Sequence, residues 1–504
     1  MIRFRAVLWA TLSFLVVPLL AHGAEPAWIQ LEGDGYRIYS QMPEQATRDW
    51  SVELDRFIGA ATSILNINRK SLATLRVVLF KSDKELTAFK TARPDGRVAD
   101  EQGGYFYRDE SGSYMVLSLQ GDRDGSRHML FHEATHWILD AVPVRRPLWY
   151  EEGMADLFGT YKIEAGQVVF AQPLPGYILE YRSGTFRSLK DFFSREQSMG
   201  NNRLETDRYY AQAWAMMHFY FVNPKGRQES ADLEKYVRAY AAGEEGDLVD
   251  RYFGPRLKAY ENALSRYIEK ETFYLLRSDV KPDPAAATRS VSEPIRPDLL
   301  NTLSSIAMPS ADKELARVYQ RELQSNFGGS ADVREVGARL ALYRDKDLVA
   351  AGKMALEALR KGSTDSLMIR LAADAFGHEG TATLARDRQR ANMYRTVIAR
   401  KAANEAAHAG LLGALLTPGV YQASDGDFVA VGRRLFPQSV PLRLLGGSLS
   451  CIRGDMGAAV ADFDTVIRSE SAPEAAKAEG RRRRDAAQEK QCVPVDVEAL
   501  IELS

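Results

Sequence analysis

Apolar residues recur along this chain with two different periods, and the change between them divides it. Tyr36-Arg37-Ile38-Tyr39-Ser40 alternates as a short strand does, and Leu75-Arg76-Val77-Val78-Leu79-Phe80 is a β-branched apolar run that predicts a buried strand. Between them Trp50, Leu54, Phe57, Ile58, Ala61 and Leu65 fall at helical spacing and predict a helix within residues 44–65. Ser82, with Glu85 three residues on, has the form of a helix N-cap. Gly103 to Tyr107 and Tyr114 to Leu119 flank Asp109-Glu110-Ser111-Gly112, whose turn chemistry predicts a hairpin. The second of these strands is a candidate to hold an extended peptide by edge addition. A helix follows, with Ser126 after Gly125 as its expected N-cap and Leu130, Ala134, Trp137, Ile138 and Ala141 as its core stripe. Pro143 and Pro147 end it, and a second helix is expected from Leu148 to Thr160. Helical spacing returns at Ser188 to Arg195, Asp207 to Phe221, Ser230 to Ala242 and Pro255 to Glu271.

Strand signals stop near residue 275. Pro282, Pro284, Pro294 and Pro297, set among Ala and Ser, mark residues 276–298 as a proline-rich linker. Residues 299–504 then carry only short amphipathic helical patterns. Asp332 to Tyr343 and Asp365 to Phe376 are offset by about one period of the roughly 34-residue tetratricopeptide repeat, and Ala459 to Phe463 resembles the second helix of such a repeat. The expected architecture is an α+β domain over residues 25–275, a small mixed sheet with helices, and an all-α helical-repeat domain over 299–504. The two are expected to separate at the linker. The concave face of such repeats suits a protein or peptide partner; an irregular helical bundle is the alternative.

Composition narrows the class. A chain of 504 residues is too long for one core, and 45% apolar with 26% charged residues is ordinary for a globular protein. A net charge of -1 without a basic stripe argues against nucleic acid as a partner. Arg3 and Arg5 precede an apolar stretch from Ala6 to Leu20, broken by Pro18, and Ala21-His22-Gly23 offers small residues for cleavage. Residues 1–24 therefore read as a signal peptide, with export to a bacterial periplasm or beyond the cell as the expectation and no transmembrane segment after cleavage. Only Cys451 and Cys492 are present, too few for a four-cysteine zinc site. In an exported protein they are free to pair, and spacing alone leaves that open.

The chemistry is concentrated in His132-Glu133-Ala134-Thr135-His136. Residues i and i+4 share a helix face, so the two histidines can hold one metal ion with Glu133 beside it. Glu152 stands sixteen residues after His136 on the next helix, where a carboxylate would complete a two-His, one-Glu zinc site with an open fourth position. Helical phase favours Glu152 over Glu151, because Asp156, one turn on, can then brace a ligating histidine. Asp140 is a weaker alternative ligand. His128 extends the ladder of histidines but lacks a following Glu, and reads as a flank of the cleft or a surface residue. Tyr210 is the candidate for a second donor to the oxyanion, with Tyr209 and His218 behind it.

Together these motifs resemble the gluzincin, or thermolysin-like, zinc metallopeptidases, in particular the bacterial peptidase-MA-like proteins. The likeness rests on the His132–His136 motif and on Trp149-Tyr150-Glu151-Glu152-Gly153-Met154-Ala155-Asp156, and spans roughly residues 30 to 225. It implies His132, His136 and Glu152 as ligands of Zn2+, Glu133 as general base, and Asp156 as partner of a ligating histidine. It also implies that the helix around Tyr210-Ala211-Gln212-Ala213-Trp214 closes the site. The metzincin pattern is not met, since Leu139 and Val142 stand where it needs Gly and a third His. The expectation is an exported zinc endopeptidase whose repeats recruit a protein substrate or partner. A catalytically silent scaffold and a zinc amidase acting on cell-wall peptides are the alternatives.

Overall fold

A computed structural model of the chain describes residues 27–91, 103–183, 187–194, 203–226, 230–244, 246–270, 272–378 and 383–503. The expected signal peptide, residues 1–24, lies outside them. The described chain is mixed α and β, with two small sheets and many helices. The amino-terminal half runs β1 (Ile29–Glu32), β2 (Tyr36–Ser40), α1 (Glu44–Leu65), β3 (Leu75–Phe80), α2 (Asp83–Leu86), β4 (Gly104–Arg108), β5 (Ser113–Ser118), α3 (Arg123–Asp140), α4 (Leu148–Gly159), β6 (Lys162–Glu164) and β7 (Gln167–Phe170). It continues through α5 (Pro175–Arg182), α6 (Leu189–Ser194), α7 (Arg203–Met217), α8 (Ala231–Ala242), α9 (Leu248–Tyr252), α10 (Leu257–Glu269), β8 (Leu276–Ser278) and β9 (Val291–Ser292).

The main sheet has the order β4-β5-β3-β2-β1-β9, with β2, β3 and β5 parallel and the remaining pairings antiparallel. Alternation along β3 and β5 sends Val77, Leu79, Met115 and Leu117 to one face, against α1 and α3. Val78, Phe80, Tyr114 and Val116 go to the other, with Tyr39 of β2. Both faces are buried, which is why Leu75–Phe80 reads as a continuous apolar run. Strand β5 lies between β3 and β4, so its backbone is already paired; the edge strand beside the cleft is β4, not the Tyr114 to Leu119 strand expected to take a peptide.

The cover for the second face comes from far downstream. Helix α11 (Arg296–Ala307) lays Leu299, Leu300, Leu303 and Ile306, all buried, against that face. The proline-rich stretch is consequently not a free linker. β8 pairs with β7 and β9 with β1, while Arg289 reaches Tyr36, Ser51 and Asp55, and Asp298 pairs with Arg37 and Tyr39. Proline donates no backbone hydrogen bond, but the first turn of a helix does not require one. Pro284 opens a short 3₁₀ turn and Pro297 sits in the first turn of α11.

Eleven further α-helices follow among the described residues: α12 (Leu315–Phe327), α13 (Ala331–Leu340), α14 (Leu348–Arg360), α15 (Ser366–His378), α16 (Leu384–Arg400), α17 (Glu405–Leu415), α18 (Asp425–Leu435), α19 (Val440–Ile452), α20 (Met456–Arg468), α21 (Glu474–Gln488) and α22 (Val497–Glu502). Most pack on the next in sequence, as stacked helical hairpins do, and α18 also meets α8 of the amino-terminal half. The array grips the β4–β5 turn. Ser111 Oγ lies 3.1 Å from Asp365, Arg370 donates to Glu110 at 2.6 Å, Asn404 to the same carboxylate at 2.9 Å, and Lys401 to the Asp109 carbonyl at 3.1 Å. Arg339, buried, reaches Asp365, Asn301 and Ser111. The two halves expected as modules are in contact at this turn and along α11.

Cys451 of α19 and Cys492 are joined in a disulfide across 41 residues of sequence. By the chain-entropy account such a loop constrains the unfolded chain by about 4 kcal/mol at most. Replacing both cysteines with serine is expected to lower the urea unfolding midpoint of the oxidised protein, and dithiothreitol to lower it only in the wild type. Equal midpoints for all four samples would remove the bond from the stability of the array.

Candidate metal centre

Helix α3 begins at Arg123, four residues before the start expected from Ser126 as its cap. Asp122 caps it, accepting from the Gly125 N–H at 2.8 Å, and Ser126 is buried within the first turn. Leu130, Phe131, Ala134, Trp137 and Ile138 face the core, and the Trp137 indole donates to the Ala73 carbonyl at 2.8 Å. With that face locked, the opposite one turns His132, Glu133 and His136 into a cleft of about 850 Å3.

Helix α4 supplies the carboxylates. Trp149 and Leu157 are buried, and Glu152 and Asp156, one turn apart, point toward α3. Gly153 is required here: a Cβ would overlap the carbonyl of Ala213 and the side chain of Met217. The missing side chain lets α7 cross directly over α4, and that crossing hangs Tyr210 above the histidines, its ring 6.0 Å from that of His132.

Three donor atoms converge. His132 Nε2 and His136 Nε2 are 3.3 Å apart, and Glu152 Oε2 lies 3.5 Å from the first and 3.6 Å from the second. A tetrahedral ion with bonds of about 2.0–2.1 Å holds its ligand atoms about 3.4 Å from one another. The Glu152 Oε2 atom is buried and makes no hydrogen bond, a costly arrangement unless a cation completes it. The donor set therefore fits a divalent ion of the zinc type. Asp156 Oδ1 accepts from His132 Nδ1 at 3.0 Å, which fixes the tautomer and leaves the Nε2 lone pair facing the other donors.

The donor groups are coupled by charge. Burial opposes the charged form of His132, but Asp156 and Glu152 outweigh it and hold its pKa well above the usual value; His136 is raised likewise, chiefly by Glu152. Burial works against ionisation of Glu152, yet His136 and His132 hold its carboxyl well below the ordinary range. Buried carboxylates in excess leave protons or a cation to balance them.

Of the competing residues, Glu151 is 40% exposed and turns toward Arg146, Asp140 pairs with Arg108, and His128 flanks the cleft with Nε2 3.3 Å from Asp156. None joins the three-donor cluster. Glu133 is oriented by strand β4: its Oε2 accepts from the Phe106 N–H at 2.7 Å. Burial, then Glu152, Asp156 and Glu133, push the Tyr210 hydroxyl well above its usual pKa, so it keeps its proton. The residues placed behind Tyr210 lie elsewhere. Tyr209 is buried against Phe192, and His218 is buried between the Tyr267 hydroxyl and the Ala171 carbonyl.

Several cleft residues had no sequence signal. Tyr177 on α5 faces the site, its pKa raised by burial and then by Asp156. Arg108, Arg145, Arg146 and Tyr240 line the far end, and Leu435 and Phe436 arrive from the helical array. No family model matches the chain, and no curated protein matches it either.

Proposed function

We propose that this chain is a zinc-dependent endopeptidase of the gluzincin, thermolysin-like kind, acting outside the cytoplasm. The observation that carries the reading is the triangle of donor atoms, with one unsatisfied carboxylate oxygen at its corner. His132, His136 and Glu152 hold the metal, and Asp156 orients His132. Zinc bound there supplies a Lewis acid and brings the pKa of a bound water toward neutrality.

The chain's own groups account for the proton traffic. Glu133, aimed by the Phe106 N–H, takes the proton of the attacking water and delivers it to the leaving amine. Tyr210, kept protonated, donates to the oxygen on which negative charge develops. Among the described residues β4 is the outer strand on this side of the main sheet, along which an extended peptide can lie, with the Phe106 N–H already given to Glu133. The array, through Leu435 and Phe436, takes part in holding the substrate rather than only recruiting it from a distance. Export is supported by the Cys451–Cys492 disulfide, a bond that persists in oxidising compartments. Among the described residues no helix is long and apolar enough to cross a membrane.

The test is metal content beside peptide cleavage. The purified protein is expected to carry about one zinc per chain. His132→Ala and His136→Ala should lose it, and Glu152→Ala should weaken it more than Glu151→Ala. Asp156→Asn should lower affinity roughly 10- to 100-fold, as loss of a bracing partner does. Full zinc occupancy in the double histidine variant, measured by elemental analysis, would place the metal elsewhere.

A further inference from the structure

The cleft changes sign along its length. Around the donor triangle it is lined by Glu133, Glu152 and Asp156, whereas its far end, at residues 141–147, is lined by Arg108, Arg145 and Arg146. Arg145 lies over the Tyr240 ring, 4.5 Å from its centroid, and donates to the Tyr240 carbonyl at 3.4 Å. Among the described residues no carboxylate pairs with it. Arg146 donates to the carbonyls of Val142 and Val144, at 3.2 and 3.4 Å, and has only Glu151 near it, at 3.9 Å. Its side chain is 10% exposed. Arg108 pairs with Asp140. Lys401 of the array stands behind it, with a pKa depressed to about 8 by burial and by Arg108.

Three arginines thus meet two carboxylates, Asp140 and Glu151, at this end, while Lys401 behind them has Asp109 and Glu110 beside it. The counterions do not engage Arg145 at all. Phe436 and Leu435 from the array and Tyr240 from α8 wall the same end with apolar surface. Low local polarity strengthens any ion pair formed there, and partly buried guanidinium groups with distant partners gain most from an incoming anion. The planar fork of arginine suits a carboxylate, which it binds through two parallel hydrogen bonds.

We propose that the far end of the cleft is a carboxylate pocket, in which Arg145, with Arg108 and Arg146, takes a carboxylate of the peptide whose amide lies at the donor triangle. The substrate is then a peptide presenting either its C-terminal carboxylate or an acidic side chain toward the helical array. This rests on the peptidase reading for the amide, while the carboxylate preference is measurable by binding alone.

Four hexapeptides of alanine and leucine, labelled at the amino terminus with an uncharged BODIPY dye, test it, each with one glutamate or one glutamine and with a free or amidated C-terminus. Fluorescence anisotropy with the full-length Glu133→Gln protein reads their affinities without turnover. Peptides with a carboxylate should bind about 10- to 100-fold tighter than the peptide with none, as charged hydrogen bonds warrant. The two peptides with a single carboxylate distinguish a terminal from a side-chain source. Arg145→Met should erase the difference, and Arg145→Lys should keep part of it, retaining the charge without the fork. Should Arg145→Met fail to fold by circular dichroism, Arg108→Gln, whose side chain is 46% exposed, takes its place with the same expectation. Equal affinities for all four peptides, no binding at millimolar concentration, or a preference untouched by the arginine variants would overturn the pocket. Failure of the wild type to cleave the tightly bound peptides, with the preference intact, would count against the peptidase and leave the pocket standing.

Discussion

Glu133→Gln is expected to keep its zinc and its fold and to lose turnover about 10²- to 10⁴-fold, the usual worth of a positioned general base. The amide is nearly isosteric and can stay within reach of Phe106, so the β4–α3 contact should change little. What it cannot do is take a proton from water. The loss should fall on kcat far more than on KM, because Glu133 is outside the donor triangle and the role proposed for it is with the attacking water rather than with ground-state binding. Elemental analysis and a thermal melt alongside the rate separate this from unfolding. Equal rates for mutant and wild type on any cleaved peptide would end the mechanism proposed for Glu133, and zinc lost from the mutant would make it a ligand.

The largest effect on stability is expected from cutting the chain where the sequence suggests a linker. A fragment ending near residue 295 lacks α11 and exposes the face formed by Tyr39, Val78, Phe80, Tyr114 and Val116. Burying Leu299, Leu300, Leu303 and Ile306 contributes about 1.5–3 kcal/mol each, and the four together rival the whole stability of an ordinary domain, about 5–15 kcal/mol. The fragment should aggregate on expression. In the full chain, Leu300→Asp places an unpaired charge on that face and should lower the urea midpoint sharply, with a change of about 4 kcal/mol or more. Its surface counterpart Leu348→Asp, 63% exposed on α14, should leave the midpoint nearly unchanged. A soluble fragment that unfolds cooperatively and binds zinc would restore the two-module organisation.

The local elements were legible because their signals are local. Alternation marks a strand and a spacing of three or four marks a helix face, whatever lies across from them. The same spacing put His132 and His136 on one side of a helix, and helical phase chose Glu152 over Glu151 and set Asp156 one turn beyond. The start of α3 was missed because Asp122 and Ser126 are both capping types, and only the 2.8 Å bond from Gly125 decides between them. The disulfide was open for a similar reason: two cysteines 41 apart in sequence pair only if the turns between α19 and the end of α21 bring them together.

What the amino-acid sequence determined by itself, then, was the character of its segments: an α+β half, an all-helical half, and a set of metal-type donors at helical spacing. Tertiary structure alone decided how the halves meet. The continuous apolar run of β3 announces that both its faces need cover, but nothing in residues 75–80 says that the second cover lies more than two hundred residues downstream in α11. Prolines that look like a linker by composition serve equally well at the start of a helical turn, as Pro284 and Pro297 do, since both settings leave the missing N–H without consequence. Glu110 and Asn404, 294 residues apart, share a hydrogen bond that no periodicity encodes. The arginines and the Leu435–Phe436 wall reach the cleft by the same long-range packing, so a set of metal-type donors could be read in one dimension, whereas the shape and charge of the cleft around it arise only where distant segments pack together.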